Sequence, residues 1–308
     1  MKKVSLLVPC HNEEATLPLL YIEVKALMDS HPEYDWELLL VNDGSRDNTL
    51  AVMRRMREAD LRVAFIDLSR NFGKEAAMLA ALDNCTGDCA AILDADLQDP
   101  PALVSEMLKW WEEGYDDVYA RRADRGKESA LRRWASLKFY KLMQSSTKVD
   151  MLENVGDFRL LDRKCIDALR SMRESERYTK GLFCWIGYRK KEILFNRGDR
   201  VAGTTNWNFR QLAKLAMDGM FSFSETPLRI SVAAGFIIAL FAFLTMAYYV
   251  VKTLVFGDPI QGFPTLITVI LLLGGIQLIA IGILGEYIGR IYSEVKRRPN
   301  YLIREKQQ

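Results

Sequence analysis

The chain has 308 residues, 49% of them hydrophobic and 27% charged, with a formal net charge of +2. That length suits about two domain-sized units, and the composition excludes a disordered or collagen-like chain. The averages conceal a division: residues 1–228 carry 70 of the 82 charged residues, whereas residues 230–285 carry only Lys252 and Asp258. A wholly soluble protein is thereby excluded, and a polytopic channel or carrier is disfavoured.

In chain order, Val4–Val8 is an apolar run ending at Pro9 and reads as a buried strand. Glu13–Met28 has helical periodicity, Glu37–Val41 reads as a second strand, and Asn42-Asp43-Gly44-Ser45 as a turn. A helix over Asn48–Ala59, a strand over Arg62–Asp67, an alanine-rich helix over Gly73–Leu82, a strand over Cys89–Leu93 and a helix over Pro101–Glu113 follow. Strands alternating with helices imply an α/β domain with a mostly parallel sheet covered on both faces. Ligands of such sheets sit beyond the carboxyl ends of the strands. Those are the places where this sequence turns polar: His11-Asn12-Glu13-Glu14, Asn42-Asp43-Gly44-Ser45, Ser69-Arg70-Asn71 and Asp94-Ala95-Asp96. No Walker loop and no GxGxxG is present, so ATPase and dinucleotide-redox readings lose their phosphate cradle.

The central clue is Asp94-Ala95-Asp96-Leu97-Gln98-Asp99-Pro100-Pro101. Two carboxylates at i and i+2 beyond a strand can face the same way and hold a hard divalent cation. Mg²⁺ commonly uses one or two carboxylates together with substrate phosphates. A lone D-x-D is common on surfaces; the preceding apolar strand and the following Q-D-P-P make this one specific.

With these surroundings the chain resembles the glycosyltransferase family 2 enzymes that act on polyprenyl phosphates. It is most similar to bacterial bactoprenol (undecaprenyl-phosphate) glucosyltransferases and more distantly to dolichyl-phosphate mannose synthases. The matching segments are VPCHNEE (8–14), VNDGSRDNT (41–49), LSRNFGKEAA (68–77), LDADLQDPP (93–101), VYARRADR (118–125), GDFRLLDR (156–163) and DRVAGTTNWNF (199–209). The resemblance implies a GT-A fold followed by a two-helix transmembrane hairpin. It also implies inverting transfer of a hexose, foremost glucose from UDP-glucose, to undecaprenyl phosphate for cell-envelope or lipopolysaccharide glycosylation. Other donors (a UDP-N-acetylhexosamine, a modified pentose or GDP-mannose) stay open, as does a non-catalytic nucleotide-sugar-binding protein. A processive synthase is disfavoured, because QxxRW is absent.

The resemblance also implies residue roles. Pro9, His11, Asn12, Glu13, Glu14 and Asp43 line the base and ribose, although Glu13-Glu14 also reads as a helix-start acidic pair and Asp43 as part of a plain turn. Lys74 either reaches the nucleotide or is a solvated helix-start lysine. Asp94 and Ala95 adjoin the nucleotide, and Asp94, Asp96 and Gln98 hold Mg²⁺ or Mn²⁺. Arg122, Arg125 and Arg133 hold the acceptor phosphate, for which the arginine fork is suited. Arg200 faces the phosphates, and Asp157 either accepts a proton or orients the arginines. Asn206 stands where relatives usually carry Lys.

The uncharged stretches are 22 residues between Arg229 and Lys252 and 27 between Asp258 and Glu286. A transmembrane helix needs roughly 20 apolar residues. Spans are expected at about 230–251 and 263–285 within a hairpin at 228–289. Before it stand a catalytic domain at 1–205 and an interfacial amphipathic segment at 206–227; after it stands a basic tail at 290–308. Arg210, Lys214 and Arg229 before the hairpin and Arg290, Lys296, Arg297 and Arg298 after it place both termini in the cytoplasm of a bacterial inner membrane. Met1-Lys2-Lys3 runs straight into a strand, so no signal peptide is expected. Gly285-x-x-x-Gly289 permits close helix contact, so a homo-oligomer is expected. Five cysteines without a framework read as reduced thiols, without zinc. No nucleic-acid partner is expected.

Overall fold

Lys3–Cys10 forms the first strand, β1, and every residue from Val4 to Val8 is buried. A strand apolar on both faces belongs at the centre of a covered parallel sheet, and β1 lies there. It pairs in parallel with β2 (Asp35–Asn42) on one side and β4 (Cys89–Ile92) on the other. β2 continues in parallel to β3 (Val63–Leu68). Adding β5 (Asp117–Arg122), β6 (Val155–Asp162), β7 (Lys190–Phe195) and β8 (Ile303–Gln307) gives an eight-stranded sheet of order β7-β5-β6-β4-β1-β2-β3-β8. The computed structural model describes residues 1–122, 155–175, 177–195, 226–256 and 262–308. Arg125, Arg133, Arg200, Asn206 and the segment Trp207–Phe223 lie outside the described residues.

The parallel pairing expected from the alternating pattern holds across β4-β1-β2-β3. The flanks are mixed: β6 runs antiparallel to both β4 and β5, and β8 antiparallel to β3. The helices are α1 (Leu17–Ser30), α2 (Thr49–Ala59), α3 (Lys74–Asn84), α4 (Val104–Glu112), α5 (Arg163–Ser171) and α6 (Thr179–Trp185). α1 starts four residues later than the periodicity predicts. Glu13–Thr16 forms a hydrogen-bonded turn instead, and Pro18 fits the first helical turn, where its missing N–H costs nothing. In α3, Ala77–Leu82 are all buried, which explains why this short helix is apolar all round rather than striped.

Two compact units result: Met1–Leu212 together with Arg298–Gln308, and Ala213–Arg297. The second contains the long helices α7 (Thr226–Phe256) and α8 (Phe263–Val295). Among the described residues one stretch, Leu272–Val295, is long and apolar enough to cross a membrane; Ser231–Thr245 is a shorter apolar one. Large apolar side chains such as Phe236, Phe241, Leu278 and Ile279 are exposed. A Cβ added at Gly274, Gly275, Gly282, Gly285 or Gly289 would meet nothing within 4 Å, so these glycines serve no close packing among the described residues.

The C-terminal segment departs from the sequence expectation. The run read as a basic tail over 290–308 is divided: α8 extends to Val295, and Ile303–Gln307 joins the sheet as β8. Alternating charges hid this strand. Its charged side chains lie along a sheet edge, where pairing satisfies the backbone without demanding apolar residues.

β5 and β6 are joined by a buried ion pair. Arg159 Nη1 lies 3.0 Å from Asp117 Oδ2, both side chains are buried, and the guanidinium stacks over Phe183 at 3.8 Å. Burial pushes the Asp117 carboxyl up, and Arg159 opposes that shift. Removing one partner of such a pair leaves an uncompensated buried charge. Asp117→Ala is expected to lower unfolding stability by about 3–5 kcal/mol, measured by denaturant unfolding; a loss below about 1 kcal/mol would contradict the assignment.

Candidate active site

The strand order turns at β1: β2 and β3 lie to one side, β4 and β6 to the other. A crevice opens where neighbouring parallel strands send their connections to opposite faces. Here that place is the carboxyl end of β1 beside β4. A cleft of about 350 Å³ occupies it, lined by Pro9 near the end of β1, His11 and Glu13 after it, Asp43 after β2, Gly73 and Lys74 at the start of α3, and Asp94–Asp96 after β4.

Each wall has a local reason. Leu93 N–H donates to Leu7 O at 2.9 Å, extending the ladder one residue past β4 before Asp94 turns outward. Asp94 and Asp96 both face the cleft, while Ala95 between them is buried. Leu97 follows in the left-handed region (φ 59°), and Gln98 N–H donates to Asp96 Oδ1 at 3.2 Å. A non-glycine residue held there carries roughly 1–3 kcal/mol of strain, and such residues cluster at ligand sites.

On the other wall Asp43 is engaged with the backbone. Its two oxygens accept the N–H groups of Phe72 (2.7 Å) and Gly73 (2.9 Å). Gly44 beside it has φ 59°, and a Cβ there would lie 2.3 Å from Arg70 C. Only glycine lets this turn abut the loop 69–73. His11 Nδ1 lies 2.9 Å from Asp43 O, and Asn71 Nδ2 lies 3.2 Å from the same ring.

The polar run after β1 divides by role. Asn12, at φ 58°, donates its N–H to Ser45 Oγ at 2.9 Å and accepts Arg46 N–H at 2.9 Å. Glu14 Oε2 accepts Asn48 N–H at 2.8 Å, immediately before α2. Both residues brace the neighbouring loop and neither lines the cleft. Glu13 lines it while accepting from the Thr16 hydroxyl.

Lys74 links the acids. Its ammonium donates to Asp94 Oδ1 at 2.6 Å and to Asp157 Oδ2 at 2.7 Å, with the lysine side chain 45% exposed. This joins α3, the end of β4 and strand β6. The alternatives read from the sequence, a nucleotide contact or a solvated lysine, did not include that clasp. Burial alone would lower the Lys74 pKa; Asp94 and Asp157 outweigh it and hold the value above that of an ordinary lysine. Burial works against the Asp157 charge too, but Lys74, then Lys180, keeps its carboxyl below the usual range. An acid so held is a weak base.

Arg122 ends β5, and a Cβ added at Gly156, the residue before Asp157, would sit 3.7 Å from Arg122 Nη2. Among the described residues no group of three or more His, Cys, Asp or Glu is arranged to hold a metal. Mg²⁺ or Mn²⁺ does not require one, since substrate phosphates and water complete its shell. Gln98 Oε1 is buried with no hydrogen-bond partner among the described residues, and such an open oxygen donor close in sequence to Asp94 and Asp96 fits a hard cation.

Cys10, Asn71, Gly73 and Ala77 also line the cleft and were not singled out as site residues by the sequence. Asn71, Gly73 and Ala77 lie within the matched segment 68–77, which was the available signal.

A crevice at the β1/β4 switch point, with a D-x-D on one wall and a helix start on the other, is the plan of a GT-A nucleotide-sugar transferase. Residues 5–170 match the family described as glycosyl transferase family 2, and residues 226–291 match the GtrB C-terminal hairpin. The chain is 41% identical over 303 residues to the bactoprenol glucosyl transferase of Shigella phage SfII, covering 98% of each chain. It is 40% identical over 301 residues to an uncharacterized glycosyltransferase of Synechocystis sp. (98% of this chain, 94% of that one). It is likewise 40% identical over 302 residues to a prophage bactoprenol glucosyl transferase homolog of Escherichia coli (98% of each). The chain belongs to glycosyl transferase family 2, and it is a glycosyltransferase.

The clasp predicts a pH response. Asp157, with a depressed folded pKa, contributes stability above its unfolded value of about 4, lost as the pH falls further; Lys74 contributes below about 10, lost above it. Wild-type thermal stability should therefore be nearly flat between about pH 5 and 9 as far as this cluster is concerned. In Lys74→Met the two carboxylates face each other without their cation, and the Asp157 pKa rises above its unfolded value. Stability of that variant should increase as the pH is lowered from 7 to 5, followed by scanning calorimetry. Identical profiles for the two proteins would contradict the clasp.

Proposed function

We propose that the protein transfers glucose from UDP-glucose to undecaprenyl phosphate at the cytoplasmic face of the membrane, with inversion at the anomeric carbon. The observation that carries this reading is the likeness, over 98% of both chains, to a bactoprenol glucosyl transferase, spanning the catalytic unit and the hairpin together.

The cleft supports a donor site. Pro9, His11, Glu13 and Asp43 form the wall for the base and ribose. The diphosphate lies toward Asp94–Asp96 and the first turn of α3, where the helix dipole favours anions. A divalent cation, Mg²⁺ or Mn²⁺, held by Asp94 and Asp96 with Gln98, would neutralise the diphosphate as charge develops on it. An oxygen of the lipid phosphate attacks the anomeric carbon, the bond to the UDP oxygen breaks, and UDP leaves with the electron pair. The lipid phosphate is already anionic, so no strong base is needed, and the depressed carboxyl of Asp157 is suited to orienting cations instead. Arg122, with Arg125, Arg133 and Arg200, holds the acceptor phosphate against the repulsion of the diphosphate.

The architecture supports membrane anchorage by two crossings. The segments before and after the hairpin, up to Leu212 and from Arg298 onward, belong to one folded unit. A chain that leaves a folded unit and returns to it crosses a bilayer an even number of times. α7 and α8, of 31 and 33 residues, are each long enough. The open glycine face of α8 suits contact with further copies of the chain.

Purified protein incubated with Mg²⁺, undecaprenyl phosphate and a panel of labelled UDP-glucose, UDP-N-acetylglucosamine and GDP-mannose should yield lipid-linked label from UDP-glucose. No lipid-linked sugar from any donor would defeat the reading. Asp96→Asn should lower transfer roughly 10²–10³-fold, and full activity would overturn the metal assignment. A reporter active only in the periplasm, fused after Gln308, should stay silent.

A further inference from the structure

We propose that Arg304, on the strand that follows the hairpin, is a positioning residue for the donor cleft. The contact runs through the loop that joins β3 to α3. Arg304 Nη2 donates to Leu68 O at 3.2 Å and to Ser69 O at 3.1 Å, and Arg304 Nε lies 3.3 Å from Asp67 Oδ2, an ion pair without hydrogen-bond alignment. Ser69 N–H adds a backbone bond to Leu302 O at 2.8 Å. The C-terminal segment thus grips the last residues of β3 and the first of the loop.

The grip is transmitted in two directions. Along the chain, the next residues are Arg70–Gly73, whose Phe72 and Gly73 N–H groups end on Asp43 and whose Asn71 meets His11. Asn71, Gly73 and Lys74 line the cleft. Across the sheet, Asp67 Oδ1 accepts Asn42 Nδ2 at 2.7 Å, and Asn42 Oδ1 accepts Ser45 N–H at 3.2 Å, in the turn that Asn12 braces. One guanidinium therefore holds both loops that meet at Gly44, where a Cβ would collide with Arg70.

Arg304 is 58% exposed. An exposed ion pair adds little to global stability, whereas two carbonyls and a carboxylate held by one rigid fork define a local geometry. The role is therefore positional. It also makes the site depend on the chain after the hairpin: the residues that emerge from α8 complete the loop that holds the donor. The consequence for the donor rests on the transfer reading above.

The test compares Arg304→Ala and Arg304→Lys with Arg54→Ala. Arg54 pairs with Glu305 of the same strand and does not touch the loop. Two quantities are read in the full-length protein. Amide hydrogen exchange at residues 69–73 needs no substrate. It should quicken at least about tenfold in Arg304→Ala, stay near wild type in Arg54→Ala, and lie between in Arg304→Lys, which offers a point charge in place of a fork. The donor KM should rise about tenfold in Arg304→Ala with kcat within about twofold, the melting temperature staying within a few degrees. Unchanged exchange in Arg304→Ala would overturn the proposal, as would an equal effect of Arg54→Ala, which would show general strand docking. A wild-type protein that transfers no sugar would defeat the transfer reading and leave the exchange comparison to decide the clamp.

Discussion

The ammonium of Lys74, set between Asp94 at 2.6 Å and Asp157 at 2.7 Å, is the interaction on which the site depends. It brings a helix start, the end of a central strand and an antiparallel flanking strand to one point. Without a cation there, two carboxylates would face each other with Asp157 buried, an arrangement that raises the pKa of Asp157. With it, the Asp157 carboxyl is held below the usual range. The cleft therefore sets acidic groups and an ammonium side by side, as the proposed donor diphosphate and its cation require.

The surrounding sheet is organised to permit this. β1 is apolar on both faces and must be central, so its polar carboxyl end is forced into the crevice beside β4. Asp43 is held by two backbone amides of the 69–73 loop, and Gly44 lets that loop approach to contact. Arg159 and Asp117 bury a second charge pair beneath β6, fixing the strand that presents Asp157 on the same side as Arg159. The walls are thus supported by charge pairs and backbone hydrogen bonds.

Much of this is legible in sequence because it follows from periodicity. The buried run Val4–Val8, the alternation of strands and helices, and the D-x-D after an apolar strand point to the place of the cleft. The seven matched segments carry the family. What escapes is long-range or chemically ambiguous. Asn12 and Glu14 sit in the same polar run as His11 and Glu13, yet turn to brace the neighbouring loop; adjacent polar residues look alike until the backbone directions are known. Lys74 reads as a nucleotide ligand or a surface lysine because its partners lie 20 and 83 residues away. β8 is hidden because Ile303-Arg304-Glu305-Lys306-Gln307 has no apolar alternation, only edge pairing with β3.

β8 belongs to the same unit as the cleft, so residues 213–297 are an insertion in the sequence of that unit. That arrangement suits the proposed reaction, in which the donor is water-soluble and the acceptor stays in the bilayer. The most direct test of the account is a structure of the protein with UDP and Mn²⁺. The account predicts the diphosphate at the β1/β4 cleft, the cation on Asp94 and Asp96, and the Lys74 ammonium within reach of the phosphates. UDP bound elsewhere on the catalytic unit, or a cation held without either aspartate, would contradict it.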